Sequence, residues 1–264
     1  IQSVVSYSLA PYTGNFGHEQ QKHLLNRTMV GLCKRHLDDL ENTDLQGALD
    51  LILTPELFDE PINNYYHQLT PTEYEELYKN EDVPPGDPFI NRPYANNESG
   101  ELEQFGYERY TSIISWVNQR IYKQNTSIHW KLFIFLHNLV PTRCFNLGHK
   151  AAFLYIKLLF EACFGSYKEF IYKVTLDPSM LDFLNLALSQ KDTPDENYAR
   201  EVQELFTVGK RPFAQFTEKD VREIARALVG WTYNYEKLVF SEGTESHVVF
   251  EDYNHDIGDK EFSA

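Results

Sequence analysis

Thr193-Pro194-Asp195-Glu196-Asn197-Tyr198-Ala199-Arg200-Glu201-Val202-Gln203-Glu204-Leu205-Phe206-Thr207-Val208-Gly209 reads as one amphipathic helix with both ends marked. Thr193 is placed as an N-cap, Pro194 suits the first helical position, and Glu196 completes a capping box. Gly209 is placed to stop the helix. Tyr198, Val202, Leu205 and Phe206 share an apolar face. Asn197, Arg200, Glu201 and Glu204 share a polar one, because separations of three and four residues bring side chains together. A chain that writes its helices this clearly is predicted to be mainly α.

The same devices recur outward from this stretch. Upstream, Asp177-Pro178 is an N-cap followed by proline at the first helical position. Downstream, Thr217 with Asp220 opens a helix that Gly230 closes. Further helices are predicted over Tyr107–Tyr122, Ser127–Leu139, Leu147–Phe164 and Tyr167–Val174. Near the start, His18–Leu37 shows a helical repeat of Leu24, Leu25, Met29, Leu32 and Cys33. Thr43 is then expected to cap a helix with Gln46 in the box, burying Leu45, Ala48, Leu49 and Ile52.

Two segments break the pattern. Residues 54–104 hold seven prolines (Pro55, Pro61, Pro71, Pro84, Pro85, Pro88, Pro93) and several tyrosines. This reads as an irregular arm, with a short helix over Thr72–Lys79, packed over the helical body. Beyond Trp231 the runs Thr232–Phe240 and His247–Tyr253, parted by Glu242-Gly243, read as a small β-hairpin. The expected fold is a multi-helix globular bundle of a single, mostly helical domain over 1–264, with a long irregular arm and a small hairpin near the C-terminus.

Charge and cysteine content narrow the function classes. The 264 residues carry 24 Lys and Arg against 39 Asp and Glu, a formal charge of −15. Such a chain repels phosphate backbones, so nucleic acid is not an expected partner. No run reaches the length of apolar residues that spans a bilayer. Cys33, Cys144 and Cys163 form no metal or disulfide spacing, and Cys163 reads as a buried, inert thiol.

The polar helix face is the first candidate site. Glu201 and Glu204 beside Asn197 and Arg200 could do acid–base work or hold a divalent cation through oxygen ligands. Histidines form the second constellation: His129, His137 and His149 on or beside neighbouring helices, and His255-Asp256 in the terminal loop. His255 and Asp256 beside Glu201 would make a mixed nitrogen and oxygen ligand set. The competing reading is a salt-bridged polar network. The pair His18 and His23 diverges by roughly 140° around a helix and cannot share one metal. The sequence lacks G-x-S-x-G, Walker A, G-x-G-x-x-G and H-E-x-x-H motifs.

Asp177-Pro178-Ser179-Met180-Leu181 resembles D-P-A-M-L of the bacterial family catalogued as domain of unknown function 1800. Residues 195–209 resemble its N-E-N-F-A-R-E-L-M-E-L-F-T-L-G. Phe216–Val221 and Ala225–Trp231 resemble its Y-T-E-x-D-V and A-R-A-L-T-G-W, and His255–Lys260 is similar to its H-D-x-G-x-K. The chain departs from the family at Leu139, where H-N-H-F has its second histidine, and at Asn185, where L-D-N has its aspartate. The resemblance covers roughly Gly14 to Ala264 and implies that the chain is the N-terminal part of a longer protein. It also implies export to the periplasm or cell surface, and a protein partner from an exported family similar to sulfatases and phosphatases.

The expected function is a non-catalytic component of a cell-envelope or cell-surface assembly. The alternative is a metal-dependent hydrolase or oxidoreductase whose site gathers Asn197, Arg200, Glu201 and Glu204 with His255, Asp256 and His137. In the alternative, His255 lies within reach of the Glu201 face. In either reading Arg200 is expected to pair with a carboxylate, and Glu201 or Glu204 to face the interior.

Overall fold

The computed structural model describes residues 10–64, 83, 86–93, 101–210, 212 and 214–263. Among the described residues the chain is mainly α with one two-stranded sheet, as the sequence predicts. Three short helices lead: α1 (His18–Thr28), α2 (Lys34–Asp39) and α3 (Leu45–Ile52). The single helical repeat expected over 18–37 is divided, because Met29 turns to extended backbone. That turn lets Leu25, Met29, Leu40, Ala48 and Ile52 enter one small core. Asp44, rather than Thr43, caps α3, its Oδ1 accepting the Gly47 N–H at 2.8 Å. The Thr43 hydroxyl instead donates to the Leu40 carbonyl oxygen at 2.8 Å.

The body is built from α4 (Glu101–Tyr122), α5 (His129–Leu139), α6 (Gly148–Ala162), α7 (Tyr167–Thr175) and α8 (Pro178–Phe183). In α6, His149, Lys150, Ala151, Ala152, Phe153, Tyr155, Leu159 and Phe160 are all buried. A helix buried round most of its girth needs cover on every side. Trp130, Phe133 and Leu136 of α5 supply one side, and Phe170 and Val174 of α7 with Met180 and Leu181 of α8 another. Burying each such side chain contributes roughly 1.5–3 kcal/mol.

The described parts of the 54–104 segment close the remaining side. Phe58 lies edge-on to Trp116 with ring centres 5.3 Å apart and touches Phe153 and Phe160. Val83, Phe89 and Ile90 bury against Ile113, Ala152 and Phe153. The Asn63 N–H donates to the Asp87 carbonyl oxygen, and the Gly86 N–H to that of Asn63, joining the two described stretches. The irregular stretch ends earlier than expected, since α4 begins at Glu101. The helix expected over Thr72–Lys79 lies outside the described residues. Cys163 is half-buried, with burial pushing its thiol up to about 12.

The stretch 193–209 departs from its reading in detail. Thr193 forms an isolated bridge with Gln190, and the helix starts only at Asn197, whose N–H donates to Asp195 Oδ1 at 2.8 Å. After α9 (Asn197–Glu201) the backbone widens into a π-helix over Val202–Thr207. The wider turn breaks the 3.6-residue repeat, so Leu205 faces solvent at 49% exposure while Gln203 turns inward. Gln203 Nε2 then donates to the Ala199 carbonyl oxygen at 3.0 Å. Tyr198 and Phe206 stay buried as expected.

Downstream come α10 (Glu218–Leu228), β1 (Trp231–Tyr233), α11 (Tyr235–Phe240) and β2 (Val248–Phe250). The strands pair antiparallel with Thr232 opposite Val249. The first arm of the expected hairpin is therefore only three residues long. Asn234 ends it by accepting the Lys237 N–H at 2.9 Å, which starts α11 and buries Leu238 and Val239. The second arm ends at Phe250, and Asp252–Asn254 forms a 3-10 turn. Gly230 holds φ +108°, and a Cβ there would meet the Phe250 ring at 2.9 Å. Only glycine suits this junction. Among the described residues, no helix is long and apolar enough to cross a membrane.

Asp177 caps α8 as expected, its Oδ1 accepting the Ser179 N–H at 2.9 Å. Burial pushes its carboxyl up to about 7, above the ordinary value of 3.8. The folded state therefore holds this proton more tightly than the unfolded chain does. Stability from the group is complete below about pH 4 and is lost as pH rises towards 7. Asp177→Asn keeps an acceptor for the cap and removes the titration. In melting curves from pH 4.5 to 7.5, the wild-type midpoint should fall relative to the variant as pH rises, and parallel curves would contradict this.

Candidate functional site

Helix α10 organises the polar residues that the sequence singles out. Its start is fixed by Thr217 and Asp220: Thr217 Oγ1 accepts the Asp220 N–H while the Thr217 N–H donates to Asp220 Oδ2 at 2.6 Å. Val221 and Ala225 bury against Ala199, which seats α10 on α9. The opposite spacing, Lys219, Glu223 and Arg226, forms a charged stripe at i, i+4 and i+7.

The chain returns along that stripe after β2. Arg226 Nε donates to Asp256 Oδ2 at 2.6 Å, Nη2 to Asp256 Oδ1 at 3.3 Å, and Nη1 to Glu223 Oε2 at 2.7 Å. The hydrogen-bonded Arg226 guanidinium holds the Asp256 carboxyl well below the usual carboxylate range. Asp256 Oδ1 also accepts the Gly258 N–H at 2.8 Å. A Cβ on Gly258 would lie 2.9 Å from Arg226 Nη2, so the glycine lets the guanidinium close over the turn. Lys260 Nζ donates to the Gly258 carbonyl oxygen at 2.7 Å and to that of Asp256. Further on, Lys219 pairs with Glu261 at 2.7 Å, and the Glu261 N–H donates to Glu223 Oε2. The Ser263 hydroxyl and N–H both donate to Asp220, and these bonds hold its carboxyl far below the usual range.

Arg200 gathers a second group. Its Nη1 and Nη2 donate to the two oxygens of Glu218 at 3.0 and 2.8 Å, and Nη2 to Glu196 Oε2 at 3.1 Å. Glu204 lies 3.8 Å from Arg200 and pairs with Lys210 at 3.1 Å. Arg200 does pair with carboxylates, but its side chain is 33% exposed and Glu218 is 65% exposed. Complete burial, on which a large penalty for losing Arg200 depends, is absent. Exposed pairs of this kind contribute only about 0.2–1 kcal/mol each.

The sequence candidates thus divide. Arg200 and Glu204 meet at the α9–α10 contact, while Asp256 joins Arg226, and α10 carries the partners of both groups. His255 Nδ1 donates to the Val229 carbonyl oxygen at 2.7 Å, and its ring lies 5.1 Å from Phe250. His137 is on the exposed side of α5, its ring 6.2 Å from Phe133. Glu201 is half-buried, and its Oε2 is buried without a hydrogen-bond partner. Asn197 is exposed at the start of α9. Among the described residues, no three His, Cys, Asp or Glu side chains converge as a metal site.

Of the other histidines, His129 is buried with both ring nitrogens engaged. Nδ1 accepts the Glu56 N–H at 2.9 Å and Nε2 donates to the Phe160 carbonyl oxygen at 2.9 Å. Burial lowers its pKa. His149, fully buried beside Arg109, is lowered further for the same reason. The residues that sequence reasoning missed are Arg226, Glu223 and Lys219. Their signal was present as alternating charge at helical spacing, facing the charged run 256–261.

A family model described as protein of unknown function (DUF1800) matches residues 23–263. No curated protein and no solved structure matches the chain.

Because Arg226 touches Asp256, Glu223 and the Asp259 carbonyl oxygen, Arg226→Ala should release the 256–263 segment from α10. Hydrogen exchange should rise sharply in peptides covering 256–263 while α5 and α6 stay protected. Arg200→Ala should leave those peptides unchanged. Equal protection of 256–263 in wild type and Arg226→Ala would refute the clamp.

Proposed function

Because the chain belongs to the DUF1800 family, we propose that it is an exported bacterial protein and a non-catalytic component of a cell-envelope or cell-surface assembly. The observation that carries this reading is Arg226. It takes up Asp256 and Glu223 together, so the H-D-x-G-x-K-like segment supports a structural clamp. A cation placed at Asp256 would have to displace a guanidinium already bonded through two nitrogens. Arg200 holds Glu218, Glu196 and Glu204 in the same way. Export, and a partner similar to sulfatases and phosphatases, follow from the family resemblance. The charge of −15 favours a protein partner over nucleic acid.

One observation favours the metal-dependent hydrolase or oxidoreductase instead. Glu201 Oε2 is buried and unpartnered, and buried carboxylate oxygens are ordinarily hydrogen-bonded or bound to a cation. In that reading Glu201 would hold a divalent metal, with Nε2 of His255 as a further ligand, and the metal would polarise a substrate or water. His255 is bonded to the Val229 carbonyl oxygen, and no hydrogen bond joins it to Glu201 Oε2.

Elemental mass spectrometry of the purified, dialysed protein separates the two. The assembly reading expects no stoichiometric zinc, iron, manganese or calcium, and recovery of the protein in the periplasmic or envelope fraction. Near-stoichiometric metal that Glu201→Gln abolishes would overturn it in favour of the enzyme. Recovery in the cytoplasm alone would overturn the exported assembly.

A further inference from the structure

A cleft of about 550 Å³ lies where α2 and α3 meet the chain before α5. Small-molecule sites range over roughly 300–1,000 Å³. It uses none of the residues of the motif face. Its lining includes Arg35 and Asp39, one turn apart on α2, Glu56 just beyond α3, and Asn125 ahead of α5. Leu51 and Pro55 add an apolar wall.

Each charged group is held in place by the protein, and none by another of the three. Arg35 Nη2 donates to the carbonyl oxygens of Lys123, at 3.4 Å, and Gln124. Asp39 Oδ2 accepts the Thr126 hydroxyl. Glu56 Oε1 accepts the Asn125 N–H at 3.0 Å, and Oε2 accepts Trp130 Nε1–H at 3.2 Å. Burial raises the Glu56 carboxyl above its ordinary value, and the hydrogen bonds from Trp130 and Asn125, with the Arg120 and Arg35 charges behind them, offset this only in part.

Opposite charges in one cleft would ordinarily close into an ion pair. Here Arg35 is turned to main-chain oxygens and the carboxylates to their own donors, so no ion pair joins the guanidinium to either carboxylate, and Glu56 feels the charges of Arg120 and Arg35 without bonding to them. A rigid pair of unlike charges selects a ligand with the complementary pair. We propose that this cleft binds a zwitterion of the α-amino acid class. The ligand carboxylate lies against Arg35, its ammonium against Asp39 and Glu56, and its side chain against Leu51 and Pro55. A free amino acid and a short peptide share this chemistry and differ in the distance between their charges. The inference is independent of the assembly reading.

Isothermal titration calorimetry tests it with four probes on the full chain: L-leucine, L-leucylglycine, N-acetyl-L-leucine and L-leucinamide. At least one zwitterion should bind about ten-fold more tightly than either single-charge analogue. Leucine ahead of leucylglycine identifies a free amino acid, and the reverse a peptide. Arg35→Gln and Glu56→Gln should each weaken that binding about ten-fold, with unliganded melting midpoints close to wild type. Glu56→Gln keeps a carbonyl oxygen for one of its two donors. Should a variant fail to fold, the four-probe comparison on wild type decides alone. Single-charge analogues that bind as tightly as the zwitterions, or no binding at about 10 mM, would overturn the proposal.

Discussion

Helix α6 must be covered on all sides, and most of the architecture follows from that requirement. Its buried residues run from His149 to Phe160 and point in every direction around the axis. One helix neighbour can cover only part of such a surface. The chain therefore places α5, α7 and α8 on one part and α4 with the described stretches of the 54–104 segment on another. Leu238 of α11 covers Leu147 and Ala151 at the N-terminal end. There the cover is partly polar: Lys150 is buried and donates to the Ser241 carbonyl oxygen. A buried ammonium needs such an acceptor, and burial lowers its pKa to about 8. The proline-rich stretch thus packs for the same reason the helices do, by offering Phe58, Phe89 and Ile90 to an uncovered apolar face.

What the sequence makes legible is set by how local the cause is. Asp177 with Pro178, and Thr217 with Asp220, act within three residues, and both start helices where expected. Thr193 carries the same kind of signal but is overruled. Asp195 takes up the Asn197 N–H, and the preceding bridge to Gln190 holds Thr193 outside the helix. The π-helix at Val202–Thr207 has no counterpart in a 3.6-residue pattern, so the inward Gln203 and outward Leu205 could not be read from periodicity. Tyr235–Phe240 shows the limit of strand propensity. Asn234 supplies a cap and the hairpin gives way to a helix.

The candidate site was legible in its members more than in its arrangement. That Arg200 pairs with carboxylates follows from residue types and spacing alone. That Asp256 belongs to Arg226, and not to the Glu201 face, depends on how the chain returns after β2. No local rule fixes that return. It rests on Gly230, whose left-handed backbone turns the chain into β1, and on Gly258, whose missing side chain lets Arg226 close over the terminal turn.

The two charged regions of the molecule illustrate different physical solutions to the same composition. On the stripe of α10 that faces the returning chain, Lys219 and Arg226 are each matched to a carboxylate within hydrogen-bonding distance, and the reward is order in the chain that follows. Such matching lowers the field felt by an approaching ligand, since the charges already cancel one another. In the cleft beside α2, the protein satisfies Arg35, Asp39 and Glu56 separately, through main-chain and side-chain hydrogen bonds rather than through an ion pair among the three. A hydrogen bond to a neutral group fixes a charge in position without neutralising it. Paired charge therefore marks where this chain holds itself together, and fixed unpaired charge marks where it can hold something else.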